Sequence, residues 1–135
     1  MREGPASARV LVVDDGSLIR LYYREALEAA GFEVAEAING IEALEKVLTD
    51  RFDLLIVDIN MPKMDGVSFL RTLRAREGEA GAIPALVISS EAGEQDARDA
   101  RAAGANYYLV KPVAAADLTL HVAVLTGTPP AGTPA

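Results

Sequence analysis

Five short apolar segments rich in branched side chains constrain this chain most: residues 10–13, 32–35, 54–57, 85–88 and 107–110, each followed by a stretch of helical character. Leu54-Leu55-Ile56-Val57 and Leu86-Val87-Ile88 run apolar without alternation. That is the pattern of strands covered on both faces, hence of a parallel sheet. The intervening stretches, 17–30, 41 to about 50, 65 to about 76, 94–103 and 115–125, are predicted helices. Ser17 suits the cap of the first, Gly31 and Gly104 suit the left-handed position just past a helix end, and Asn39-Gly40 is a turn pair between a strand and a helix.

Strand and helix thus alternate five times, which with right-handed crossovers gives an α/β fold, a doubly wound parallel sheet of the flavodoxin-like kind with strand order 2-1-3-4-5. The chain of 135 residues, about half of them apolar, is sized for one domain. Residues 9–125 are expected to form it, with an N-terminal extension over 1–8. Gly78 to Gly81 reads as a flexible loop, and the Gly- and Pro-rich stretch 126–135 as a disordered tail.

Composition excludes several functions. With no cysteine there is neither a disulfide framework nor a thiolate metal site. Twenty acidic residues against thirteen basic ones leave a net charge of −7, which opposes binding to nucleic acid phosphates and favours cations or basic partners. The apolar run from Val10 meets Asp14 after four residues, so no secretory leader or membrane span is expected there, and the chain reads as cytoplasmic.

Polar residues stand where the predicted strands stop: Asp14 and Asp15 after the first, Asp58 after the third, Ser89 after the fourth and Lys111 after the fifth. One such acid alone is an ordinary helix cap. In a sheet whose first and third strands are neighbours, however, Asp14, Asp15 and Asp58 converge, and unpaired they repel. A hard divalent cation relieves that repulsion, and magnesium suits a few carboxylates completed by water and a phosphate. Lys111 can meet a phosphoryl oxygen, Ser89 can donate to another, and an Asp58 oxygen can act as the nucleophile, so the parts suit phosphoryl transfer.

Val12-Val13-Asp14-Asp15, Asp58 followed by Met61-Pro62-Lys63-Met64-Asp65-Gly66, Gly104-Ala105 and Lys111-Pro112, in this order and spacing, resemble the receiver domain of two-component response regulators over about residues 9–125. The resemblance implies that Asp58 is the phosphoacceptor and that Asp14 and Asp15 position magnesium, with the main-chain carbonyl of Asn60 as a further ligand. Lys111 is then the phosphate-contacting lysine, joined to Pro112 by a cis bond that aims it inward, and Gly66 permits the tight loop beside the site.

Ser89 occupies the family's switch hydroxyl position and Tyr108 its switch aromatic, chosen over adjacent Tyr107 by motif register. Phosphorylation is then expected to shift the surface of the fourth helix, fifth strand and fifth helix. Asn60 and Glu91 resemble the pair that tunes dephosphorylation in fast-resetting chemotaxis-type receivers, implying a phosphoryl lifetime of seconds to minutes.

The implied partners are a sensor histidine kinase or histidine phosphotransfer protein, an unidentified downstream protein target, and a second copy in a possible homodimer through that same surface, with neither nucleic acid nor membrane.

Two features, Gly16 and residues 114–125, depart from the pattern, and the fourth helix adds an expectation of its own. Gly16 stands where a side chain is more usual, which predicts a looser first turn. The fourth helix offers mainly Ala97, Ala100 and Ala103 for burial, which predicts a mobile element. Residues 114–125 contain no Lys or Arg; Leu118, Val122 and Leu125 form a helical stripe that leaves Leu120 and Val124 outside it as an exposed apolar pair, although alternation there also fits an extended chain. His121, with no second histidine, reads as a surface or interface residue.

The expectation is a stand-alone switch, with no output domain after residue 125 and no enzymatic turnover beyond assisting its own phosphorylation and dephosphorylation. A phosphorelay intermediate is the alternative. An aspartate-nucleophile hydrolase is disfavoured, because such enzymes carry a second Asp two residues after the nucleophile and this chain has Asn60.

Overall fold

The computed structural model describes residues 7–127, so the expectations for the first six residues and for 128–135 lie outside it. Its elements run β1 (Arg9–Val13), α1 (Ser17–Ala29), β2 (Glu33–Ala37), α2 (Gly40–Thr49), β3 (Leu54–Val57), α3 (Gly66–Arg74), a 3-10 turn (Ala80–Ala82), β4 (Ala85–Ser89), α4 (Glu94–Ala103), β5 (Tyr107–Val110) and α5 (Ala115–Thr126). All strands pair in parallel, in the order β2-β1-β3-β4-β5.

The unbroken apolar runs have the predicted cause. Every residue of β3 and β4 is buried, and alternation sends successive side chains to opposite layers. Leu55, Val57 and Val87 pack with Phe69, Leu70 and Leu73 of α3 and Ala100 of α4. Leu54, Ile56, Leu86 and Ile88 pack with Tyr23 and Leu27 of α1 and Leu118 and Val122 of α5. The outer strands β2 and β5 are partly exposed, which explains their weaker patterns.

Several boundaries differ from the sequence expectation. Phe32 is apolar and reads as the start of the second strand, but its N–H donates to the Leu27 carbonyl while Gly31, at φ +96°, donates to Glu28. It therefore closes the end of α1, and the strand runs instead over Glu33–Ala37. Glu36 belongs in that strand despite its charge because Arg20 and Arg24 bind its carboxylate at 2.7 and 2.6 Å.

Ser17 does not cap α1: Gly16 is the capping residue and makes no side-chain bond. Asp65 lies outside α3 as its cap, accepting from the Ser68 amide at 2.9 Å, and Asn39 does the same for α2 through Glu42. The segment expected to be a flexible loop contains the Ala80–Ala82 turn, with the Gly81 carbonyl held by Arg74 at 3.1 Å. Residues 115–126 are helical, with Leu118 and Val122 buried and Leu120 and Val124 exposed.

Candidate functional site

Strand register builds the site. Val13 pairs with Val57, so the next residues, Asp14 and Asp58, emerge side by side, and the Asp58 N–H donates to the Val13 carbonyl at 2.9 Å. Asp15 follows at the rim. One carboxylate oxygen from each of Asp14, Asp15 and Asp58 lies within 4.8 Å of the others. The loop after β3 returns tightly, with the Gly66 N–H donating to the Ile59 carbonyl and Lys63 at φ +69°. A Cβ on Gly66 would lie 2.4 Å from the Asp58 carbonyl oxygen, so only glycine fits beside the third carboxylate.

Lys111 enters from β5 after donating its backbone N–H to the Ser89 carbonyl at 2.8 Å, and its bond to Pro112 is cis. Its Nζ lies 3.2 Å from Asp14 Oδ2 and 3.6 Å from Asp58 Oδ1. Asp14 is nearly buried, and its other oxygen accepts the Gly16 N–H at 2.9 Å. A Cβ on Gly16 would stand 3.3 Å from that oxygen and 3.1 Å from the Ile19 side chain, so the turn that carries this amide leaves little room for a side chain.

Electrostatically the cluster is under tension. Burial, then repulsion from Asp14, pushes the Asp58 carboxyl up from its ordinary 3.8 to about 6, against the pull of Lys111 and the Asn60 amide. One ammonium group does not neutralise three acids. Hard oxygen donors clustered so closely fit a small divalent cation that keeps part of its water shell.

Ser89, at the end of β4, is fully buried, and its hydroxyl oxygen accepts the Glu91 N–H at 3.0 Å, which leaves its own hydrogen to donate. The Tyr108 hydroxyl donates to the Glu91 carbonyl at 2.6 Å, with the ring half-buried against the α3–α4 layer. Tyr107 points to the other face, where its ring meets that of His121 at 5.1 Å. Asn60 and Glu91 are exposed. A hollow of about 450 Å³ near Asp50, Phe52, Glu79 and Ile83 lies at the opposite ends of the strands and contains none of the residues expected to act.

The family model described as the response regulator receiver domain matches residues 10–123. This chain belongs to that family. The receiver domain is 42% identical to the transcriptional regulatory protein PrrA of Mycobacterium tuberculosis, and equally to that of Mycobacterium bovis, over 125 residues: 93% of this chain and 52% of each relative. It therefore spans about half the length of the curated relatives it matches.

Among solved structures, chemotaxis protein CheY4 of Vibrio cholerae superimposes with a TM-score of 0.83 at 36% identity, covering 89% of this chain and 99% of that one. The receiver domain of sensor histidine kinase PA1611 from Pseudomonas aeruginosa, described with magnesium coordinated in its active-site cleft, gives a TM-score of 0.83 at 28% identity, covering 91% and 100%. No helix among the described residues is long and apolar enough to cross a membrane.

Two participants were not legible beforehand. Arg20 donates to the Asp14 carbonyl at 2.7 Å while gripping Glu36, and so braces the first acid from below. Burial pushes the Glu36 carboxyl up, but the hydrogen bonds from Arg24 and Arg20 hold it below its usual range. The second is the main chain of Glu91, which links Ser89 to Tyr108. Arg20 and Arg24, four apart on a predicted helix, could have signalled an acidic partner such as Glu36, but the contact with the Asp14 carbonyl leaves no trace in side-chain identity, and neither does the Glu91 backbone bridge.

Proposed function

We propose that Asp58 of this receiver domain accepts a phosphoryl group from a phosphohistidine of a sensor kinase or phosphotransfer protein, and that the acyl phosphate controls the α4-β5-α5 surface. The observation that carries this reading is the Lys111 ammonium spanning Asp14 and Asp58 within a three-carboxylate cluster. An Asp58 oxygen attacks phosphorus as the donor's P–N bond breaks, and the imidazole leaves with the electron pair.

Lys111 then exchanges a carboxylate for a phosphoryl oxygen, and Ser89 gives its hydrogen to another. Magnesium, which Asp14, Asp15, Asp58 and the main-chain oxygen of Asn60 would hold, supplies the positive charge that offsets the carboxylates and the incoming phosphoryl oxygens.

Drawing Ser89 toward the phosphoryl group weakens its bond to the Glu91 amide, and through Glu91 it bears on Tyr108. On the output face, exposed Leu120 and Val124 with Tyr107 and His121 line a hollow of about 270 Å³ suited to a protein target or a second copy.

With acetyl phosphate and magnesium the chain is expected to take up one phosphoryl group, absent in Asp58→Asn and absent with chelator. Label retained in that variant, or multiple turnover of a free phosphoester, would overturn the reading. The similarity to a receiver domain of a sensor histidine kinase favours one further possibility, a phosphorelay step, which transfer of label from the chain onto a histidine phosphotransfer protein would identify.

A further inference from the structure

Lys111 carries the positive charge of the site on a long, flexible side chain, so its reach depends on how firmly its backbone is held. On one side the hold is plain: the Lys111 N–H is bonded to the Ser89 carbonyl at 2.8 Å within the sheet. On the other side the chain leaves the sheet, and Pro112 has no N–H to give. The carbonyl of Val113, a buried residue, accepts the hydroxyl of Tyr22 at 3.0 Å, a bond between residues 91 apart in sequence.

Tyr22 sits in the second turn of α1, the helix that follows directly on Asp14 and Asp15. One short helix therefore grips both oppositely charged parts of the site, the acids through the chain and the lysine segment through a phenol. Complete burial does not force this contact, since Tyr22 as a residue is 40% exposed. The Val113 carbonyl belongs to a buried residue, so loss of the phenol removes a partner that favours this placement of the segment.

We propose that Tyr22 is a positioning residue for Lys111: its hydroxyl fixes the Lys111–Val113 segment against α1 and so holds the ammonium where it meets the phosphoryl group. The proposal rests on the reading of Asp58 as phosphoacceptor. Tyr22→Phe keeps the ring, including its contact with Tyr23 at 5.8 Å between centroids, and removes only the hydroxyl.

The test compares two affinities by amide NMR titration: magnesium alone, which depends on the acids, and beryllofluoride at saturating magnesium, which also depends on Lys111. A lost hydrogen bond predicts beryllofluoride binding weakened roughly three- to tenfold in Tyr22→Phe, with magnesium affinity unchanged and the Lys111 side chain more mobile by carbon relaxation. Unchanged beryllofluoride affinity overturns the proposal. So does a parallel loss of magnesium affinity, which marks a merely structural role, or unchanged Lys111 mobility. Failure of the unsubstituted chain to bind beryllofluoride would instead overturn the assignment of Asp58 itself, and the proposal with it.

Discussion

Asp58 is costly to the fold when ionised, and the size of that cost follows from the structure. Its side chain is 8% exposed, so solvent screens little of it, and burial with Asp14 alongside raises the carboxyl from 3.8 to about 6 even with Lys111 pulling the other way. The difference is about two pKa units, each worth about 1.4 kcal/mol, so the ionised carboxylate destabilises the metal-free fold by at most about 3 kcal/mol. Between pH 3.8 and 6 the folded state binds more protons at this group than the unfolded state does, so stability falls as pH rises, and the full penalty is present above pH 6.

Asp58→Asn removes it. In chelator, the variant is expected to match the parent near pH 3.8, to gain stability progressively up to pH 6, and to hold a gain of about 1 to 3 kcal/mol at pH 7, an increase of about 3 to 10 °C in Tm for a chain this size. Saturating magnesium is expected to narrow the gap, because the parent offers the ion one carboxylate more than the variant. Urea unfolding of both proteins from pH 4 to 8 reads this directly. A gain independent of pH, or a variant less stable at pH 7 without metal, would refute the electrostatic reasoning.

Other positions give sharper local tests. Gly66→Ala places a Cβ 2.4 Å from the Asp58 carbonyl and should cost about 1 to 3 kcal/mol in urea unfolding; a neutral result means that the loop yields. The buried Tyr23 hydroxyl has no hydrogen-bond partner among the described residues, so Tyr23→Phe should be neutral or stabilising by up to about 2 kcal/mol, and a clear loss of stability would reveal a hidden partner. Helix α4 buries only Ala100 and Ala103, so its amides should exchange faster than those of β3 and β4; equal protection would contradict weak packing. Asn60 and Glu91, whose side chains are exposed, are expected to tune dephosphorylation, so labelled phosphate should be lost from Asp58 within seconds to minutes, and a lifetime of hours would remove that expected role.

Most of the fold was legible because both layers of this sheet are covered. Leu54 to Val57 and Leu86 to Ile88 admit no reading but buried strands once helices flank them, and parallel pairing then fixes which ends carry Asp14 and Asp58. Legibility fails where a residue serves two structures at once. Phe32 has a strand former's side chain but a helix terminator's amide, and Glu36 has the charge of a loop residue but sits in a strand because α1 supplies two arginines. The acids, Ser89 and Lys111 were visible as isolated polar residues at strand ends. Their mutual distances were not, and neither was Arg20 beneath Asp14, since that contact uses a backbone carbonyl that any residue would offer.

Glu91 shows why the remainder matters for function. Its side chain is exposed, yet its amide serves the Ser89 hydroxyl and its carbonyl serves the Tyr108 hydroxyl. The two groups belong to one residue, so a displacement of Ser89 toward Asp58 and a displacement of Tyr108 are not independent: whatever turns the Glu91 backbone to release one alters the geometry of the other. Such coupling needs no rigid path through the core. It needs only that the loop between β4 and α4 have two arrangements of similar energy, an expectation favoured by α4 burying only Ala100 and Ala103. The alanine-rich helix that looks poorly designed for stability is, on this reading, what allows a small charge change at Asp58 to be felt at the surface.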